Sequence, residues 1–212
     1  MLTTLIFDLD MTLLDSLSPC TRGLNRMARH FGMPETTEEI VLKHISLTTE
    51  AFWKAVYGKL EPGWFPYFLK EILPQVNAET KCYPEAIPLL DYCKSRQLLL
   101  GVATNRDNPW LDIAAFGIAH YFDTVVGAYP GIRPKPDPDI VQEVLKHLGV
   151  PASCAIFTGD SRSDMKAAKA AGVRGIGLTQ GGITPEELSQ NGASWVMGNL
   201  NEVREFLERD LV

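Results

Sequence analysis

Residues 3–15 read TTLIFDLDMTLLD. The run 3–8 is short, apolar and β-prone, so it reads as a strand buried on both faces, the kind found inside a parallel sheet. Two carboxylates, Asp8 and Asp10, stand where that strand should end, and Thr12 follows. Charged groups at the edge of a core are costly unless something compensates them. Strand rise puts residues i and i+2 on one side, roughly 6.6 Å apart when extended. That separation is too long for one shared proton and suits two carboxylates that bracket a reacting group.

From residue 85 onward the pattern alternates. Helix-like EAIPLLDYCKSRQ precedes an apolar run at 98–104, NPWLDIAAFG precedes 122–128, DPDIVQEVLKHLG precedes 154–160, and SDMKAAKAAG precedes 174–179. TPEELSQNG, SWVMGN and a last amphipathic segment end the chain. Repeated strand–helix alternation with right-handed crossovers predicts an α/β fold with a doubly wound parallel sheet. Residues 16–78 carry helical periodicity and no strand pattern. CTRGLNRMARHFG is amphipathic and stops at Gly32, and threonines suited to N-caps open the next two segments. The expected organisation is an α/β core of 1–15 and 79–212 with a helical insertion at 16–78. Aromatic residues crowd that insertion over 52–68: Phe52, Trp53, Tyr57, Trp64, Phe65, Tyr67 and Phe68. They suit a small core of its own, or a roof over a ligand.

Composition narrows the function. Of 212 residues, 45% are hydrophobic, enough for a substantial core. Lys plus Arg number 20 against 26 Asp plus Glu, a net charge of −6, with no basic stretch; nucleic-acid binding is not expected. Four scattered cysteines form no CxxC pair and four scattered histidines no i, i+4 pair, so neither a disulfide framework nor a histidine metal site is expected. The N-terminus lacks a signal-peptide pattern and no window is apolar for about 18 residues, so a cytoplasmic protein without membrane spans is the expectation. Nothing in the pattern specifies an oligomeric state.

In open α/β sheets ligands bind beyond the carboxyl ends of the strands. That rule collects Asp8 and Asp10 after the first strand, Thr104 and Asn105 after the second, Arg133 and Lys135 after the third, and Asp160, Ser161 and Asp164 after the fourth. Three carboxylates from neighbouring strand ends, with little histidine, suit a hard divalent cation, Mg²⁺ first. Lys135 adds a compact positive charge, Thr104 and Asn105 can donate hydrogen bonds, and the backbone N–H groups of Leu9–Met11 could complete a phosphate cradle. Singly, most of these residues have plainer roles: Asp15, Asp107 and Asp137 suit helix N-caps, and Ser163 suits the N-cap of its own helix with Asp164 in the first turn. Their convergence on successive strand ends makes the plain reading improbable for the set.

These residues resemble the four motifs of the haloacid dehalogenase superfamily. DLDMT resembles the first, VATN the second, RPKPDPDI the third and GDSRSD the fourth, in order from residue 8 to 164. The stretch 159–182 is similar to phosphoglycolate phosphatases, and the helical insertion resembles the cap of that subgroup. The resemblance implies that Asp8 is the nucleophile and Asp10 the general acid, then base. Thr104 and Lys135 would hold the phosphoryl oxygens, and Asn105 would assist. It implies Mg²⁺ held by Asp8, Asp160 and the backbone carbonyl of Asp10, with Asp164 supporting the metal site. A carboxylate at position 10 favours phosphate esters over halides, because an ester oxygen needs a proton when it leaves. The implied activity is hydrolysis of a small phosphorylated metabolite, phosphoglycolate first and sugar phosphates next. A sugar phosphomutase is the enzymatic alternative, and a phosphate- and metal-binding regulator the non-enzymatic one. Met11 departs from the usual glycine, so its turn must use negative φ or accept strain. Specificity is expected from 42–53, with His44, Ser46, Thr48 and Thr49 as polar candidates. Hinges are expected near Leu14–Ser18 and Lys81–Tyr83.

Overall fold

The computed structural model describes residues 2–210. Six parallel strands form the main sheet in the order β5-β4-β1-β6-β7-β8: β1 (Thr4–Phe7), β4 (Leu99–Ala103), β5 (Thr124–Val126), β6 (Ala155–Gly159), β7 (Arg174–Leu178) and β8 (Ala193–Met197). β1 is central and wholly buried, with Thr4–Phe7 paired to Leu99–Val102 on one side and to Ala155–Thr158 on the other. That burial on both faces is why its sequence shows no polar alternation. Leu5 and Phe7 join a cluster with Leu89 and Leu90 of α6 (Ala86–Ser95) and Val203 and Phe206 of α11 (Leu200–Asp210). Ile6 points the other way, into a cluster with Val141 and Val144 of α8 (Asp139–Leu148) and Ala167 and Ala168 of α9 (Arg162–Ala170). Helices therefore cover both faces, as the doubly wound reading requires.

After β1 the chain forms β2 (Leu14–Asp15), makes a helical excursion, and returns through β3 (Lys81–Cys82), which pairs antiparallel with β2. The excursion comprises α1 (Leu17–Phe31), α2 (Glu38–His44), α3 (Thr49–Tyr57), α4 (Trp64–Tyr67), a π-helical turn at Phe68–Ile72, and α5 (Leu73–Glu79). α1 ends at Gly32 in the left-handed region, φ 64°, the stop its sequence predicts. The insertion has its own core: Leu24, Met27, Val41, Phe52, Trp53, Trp64, Ile72 and Val76 are buried, with Tyr57, Tyr67 and Phe68 packed against them. Trp53 meets Phe68 edge to face at 5.3 Å between centroids. α7 (Pro109–Ala115) and α10 (Pro185–Gln190) complete the core's helices.

The expected cap positions shift slightly. Ser16, Asn108 and Pro138 stand at the N-caps assigned by sequence to Asp15, Asp107 and Asp137. Ser161, not Ser163, caps α9. Each error is of one or two residues, because where the first helical turn closes depends on how the preceding strand exits the sheet. Among the described residues no helix is long and apolar enough to cross a membrane, and all four cysteines are free.

Leu5 sits fully buried at the middle of β1. Leu5→Ala should cost about 2–5 kcal/mol. Thermal unfolding followed by circular dichroism should show Tm lowered by roughly 5–20 °C for a chain of this size.

Candidate active site

Strand order reverses about β1, with β4 reached on one side and β6 on the other. The carboxyl ends of these three strands therefore surround one crevice. Asp8 follows β1 directly and is buried, its backbone N–H donating to the Thr158 carbonyl of β6 at 3.0 Å. Thr104 and Asn105 follow β4, and Asp160 follows β6; all three are buried. Lys135 arrives from the loop between β5 and α8. Asn105 places it: the Lys135 backbone N–H donates to Asn105 Oδ1 at 2.9 Å, and Asn105 Nδ2 donates to the Lys135 carbonyl at 3.1 Å.

Lys135 is the hub. Its Nζ donates to Asp8 Oδ1 at 2.8 Å, to Asp164 Oδ1 at 2.6 Å and to the Ala103 carbonyl at 2.9 Å. Asp164 is held from the other side by α9, its Oδ2 accepting from the Ser161 backbone N–H at 3.0 Å and the Ser161 hydroxyl at 2.6 Å. The Asp164 backbone N–H donates back to Ser161 Oγ at 3.2 Å, closing a capping box, so that Lys135 and Ser161 between them engage both oxygens of a fully buried carboxylate. Asp160 Oδ1 accepts from the Thr12 hydroxyl at 3.0 Å. Two glycines make room for the acids. A Cβ at Gly159 would lie 2.6 Å from the Asp164 side chain, and one at Gly181 would lie 2.0 Å from Asp160 Oδ2.

Carboxylate oxygens of Asp8, Asp160 and Asp164 lie within 4.8 Å of one another. Burial drives the Asp8 carboxyl up to about 7, with Asp164 and Asp10 adding to the rise and Lys135 opposing it. Burial, then Asp164 and Asp8, likewise push Asp160 well above the ordinary carboxylate value. Burial alone would lower the Lys135 ammonium's pKa, but Asp164 and Asp8 more than reverse this and raise it. Crowded acids of this kind are what a divalent cation would relieve, and an all-oxygen donor set fits Mg²⁺. Asp8 and Asp160 have an oxygen free of the bonds above, whereas those of Asp164 are engaged by Lys135 and Ser161.

Asp10 lies apart from that acid group. Arg106 grips it with two bonds of 2.7 Å, Nε to Oδ2 and Nη2 to Oδ1, while Arg106 Nη1 reaches Asp112 Oδ2 on α7 at 2.9 Å. Burial would raise the Asp10 carboxyl, but Arg106 holds it below the ordinary value. Arg106 was not singled out from the sequence. The available signal was its position directly after Thr104–Asn105, the nearest cation to a rim with an excess of acids. Thr12 and Gln180 were likewise unassigned. Gln180 Nε2 donates to the carbonyls of Met11 and Thr12 at 3.0 and 2.9 Å, bracing the turn from 168 residues away.

Met11 adopts φ 58°, so the turn accepts the strained alternative. The Met11 N–H donates to the Leu14 carbonyl at 2.9 Å, so it is not part of the phosphate cradle expected at Leu9–Met11. Arg133 stays outside the crevice, exposed and paired with Asp137 and Asp139.

The insertion covers the crevice. Ser46 accepts from Asn105 Nδ2 through its carbonyl at 2.9 Å, and the Thr49 hydroxyl donates to Asp107 Oδ2 at 2.7 Å. The cavity between insertion and core, about 150 Å³, is lined by Asp8, Asp10, Thr104, Asn105 and Lys135 on the core side. Of the polar candidates on 42–53, Ser46 and Thr49 line it, while His44 and Thr48 do not. Cys20 also faces it, and burial pushes that thiol up to about 12, leaving it protonated and unreactive.

Asp8 and Asp160 bind protons more tightly folded than unfolded. Protons are therefore lost on unfolding, and the contribution of these groups to stability falls as pH rises from the ordinary value of 3.8 towards about 7. In chelator-treated protein, Asp160→Asn should raise Tm, and its advantage over the parent should widen as pH rises above 3.8. Melting curves at successive pH values check this; a constant or reversed difference would contradict it.

The family model described as haloacid dehalogenase-like hydrolase matches residues 5–178. The chain is 30% identical to a phosphoglycolate phosphatase of Neisseria meningitidis, over 95% of this chain and 92% of that one. It is also 30% identical to phosphoglycolate phosphatase 1 of Pseudomonas aeruginosa, over 93% and 77%. Among solved structures, a haloacid dehalogenase-like family hydrolase from Streptococcus pneumoniae superposes with a TM-score of 0.80 at 21% identity, covering 97% of this chain and 98% of that one. A hydrolase from Pseudomonas syringae does so with 0.80 at 23% identity, over 99% of each. The strand order, the acids at the carboxyl ends of β1 and β6 and the family match agree: the chain belongs to the haloacid dehalogenase-like hydrolases.

Proposed function

We propose that the chain is a Mg²⁺-dependent phosphatase that hydrolyses a phosphomonoester of a small metabolite through an aspartyl-phosphate on Asp8. The observation that carries this reading is the buried Lys135 ammonium joining Asp8 to Asp164 beside Asp160, with Asp10 two residues from Asp8 on the same cavity. Phosphoglycolate, the substrate in the names of the relatives, and small sugar phosphates are the first esters to assay.

In this reading one carboxylate oxygen of Asp8 attacks phosphorus. Lys135 restrains the nucleophile and faces the phosphoryl oxygens, with Thr104 and Asn105 beside it. Bound by Asp8, Asp160 and the Asp10 carbonyl, with Asp164 in support, Mg²⁺ would neutralise the crowded acids and screen the charge of the incoming phosphate. Asp10 gives its proton to the departing alkoxide, then takes one from the water that opens the acyl phosphate. Arg106 keeps Asp10 ionised in the arrangement seen here, which suits the second step. A phosphate dianion drawn up beside Asp10 raises its affinity for a proton, which suits the first.

Residues 1–15 and 79–212 act as the catalytic core and 16–78 as the cap in this reading. The β2–β3 ribbon, where the chain leaves and returns, supplies the hinge at Leu14–Ser18 and Lys81–Tyr83. A closed cap excludes water during transfer and must reopen to release product.

Inorganic phosphate release from a panel of small esters tests the reading. Turnover should require Mg²⁺, stop with chelator, and fall by on the order of 10³-fold or more in Asp8→Asn. Undiminished turnover in that variant would remove Asp8 as nucleophile. Asp10→Asn should lose on the order of 10²–10⁴-fold with alkyl phosphates. Its loss should be much smaller with p-nitrophenyl phosphate, whose leaving group needs no proton. Equal losses on both would argue against Asp10 as the acid.

A further inference from the structure

The cavity has two unlike walls. The core side is polar and charged. The insertion side presents Phe52, Phe65, Phe68, Leu69 and Leu73, with Leu47 at the end of α2's following loop. Leu47 and Leu69 are 39% and 40% exposed, unusual for large apolar side chains that line a cavity. The π-helical turn at Phe68–Ile72 supplies two of these residues, and such turns recur at functional sites. Phe68 is braced edge to face against Trp53, so this wall is a packed surface rather than a loose flap.

Charge makes the contrast sharper. Among the described residues, the cations lining the cavity are Arg106 and Lys135, and both are committed. Lys135 directs its three donors to Asp8, Asp164 and the Ala103 carbonyl, and Arg106 is held between Asp10 and Asp112. No Lys, Arg or His of the insertion lines the cavity, whose polar groups on that side include the Ser16, Ser46 and Thr49 hydroxyls. The rim near them carries further acids, Asp107 and Asp112. A second anionic group on the substrate, such as a carboxylate, would be buried there without a free cation and in sight of carboxylates. An uncharged apolar group would instead cover Leu47, Leu69 and the phenyl rings.

We propose that this site selects phosphomonoesters whose alcohol is uncharged and largely apolar, aromatic or branched aliphatic, over esters bearing a second anion such as phosphoglycolate. The proposal rests on the phosphatase reading above and names its substrate class.

The test compares kcat/KM for benzyl phosphate, isobutyl phosphate and phosphoglycolate in Mg²⁺. Benzyl phosphate should exceed phosphoglycolate by about tenfold or more. Phosphoglycolate equal to or better than the neutral esters would overturn the selectivity and leave the phosphatase reading standing. No release from any ester would overturn both. Leu69→Lys places a cation at the exposed edge of the apolar wall. It should shift the benzyl-to-phosphoglycolate ratio several-fold towards phosphoglycolate. Ser46→Lys provides the same charge from the other side should Leu69→Lys fold poorly by its melting curve. A ratio unchanged in both folded variants would show that this wall does not read substrate charge, against the proposal.

Discussion

The buried ammonium of Lys135 is the constraint on which the active crevice depends. It neutralises Asp8 and Asp164 together and anchors itself on the end of β4 through the Ala103 carbonyl. Removing one member of such a buried set leaves an uncompensated charge, at a cost of about 3–5 kcal/mol. The surrounding structure meets that demand from several directions. Asn105 clamps the Lys135 backbone, the α9 capping box orients Asp164, and Thr12 steadies Asp160. Gly159 and Gly181 keep Cβ atoms out of the space the acids occupy. Even so, one ammonium does not balance three carboxylates. The remaining excess is what a divalent cation would relieve.

Asp10 belongs to a second electrostatic unit. Arg106 joins it to Asp112, and the Asn77 amide nitrogen of the insertion lies 3.5 Å from the other Asp112 oxygen. The segment after β4 therefore does two jobs at once. It carries Thr104 and Asn105 to the crevice beside Lys135, and it meets the insertion through Asn105–Ser46, Asp107–Thr49 and Asp112–Asn77. Seating of the insertion and orientation of Asp10 therefore both draw on Asp112, which meets Asn77 through one oxygen and Arg106 through the other. The aromatic residues of the insertion are similarly shared: Trp53 and Phe68 hold its core together and also face the cavity. The small core expected of these residues is present, and two of its rings also line the cavity.

Much of this was legible from residue order alone. The doubly wound sheet follows from alternation of apolar runs with amphipathic ones, because burial on both faces of a strand and on one stripe of a helix leaves periodicities that need no partner to be read. The placement of Asp8, Asp10, Thr104, Asn105, Lys135, Asp160 and Asp164 beyond the carboxyl ends of the strands followed from the rule that strand ends carry ligands. What sequence order could not specify was pairing. Arg106 gripping Asp10, Gln180 bracing the Met11 turn and Ser161 rather than Ser163 capping α9 depend on which groups meet across 96, 169 or 3 residues. Met11 at positive φ is the clearest case: local preference argues against it, and the bonds of Gln180 and Leu14 to that turn hold it there. The sequence by itself determined which chemistry is present and on which edge of the sheet, because periodicity and residue type are local properties. Only the tertiary structure decided which charges neutralise each other and what wall faces the substrate, because those are settled by distances between elements far apart in the chain.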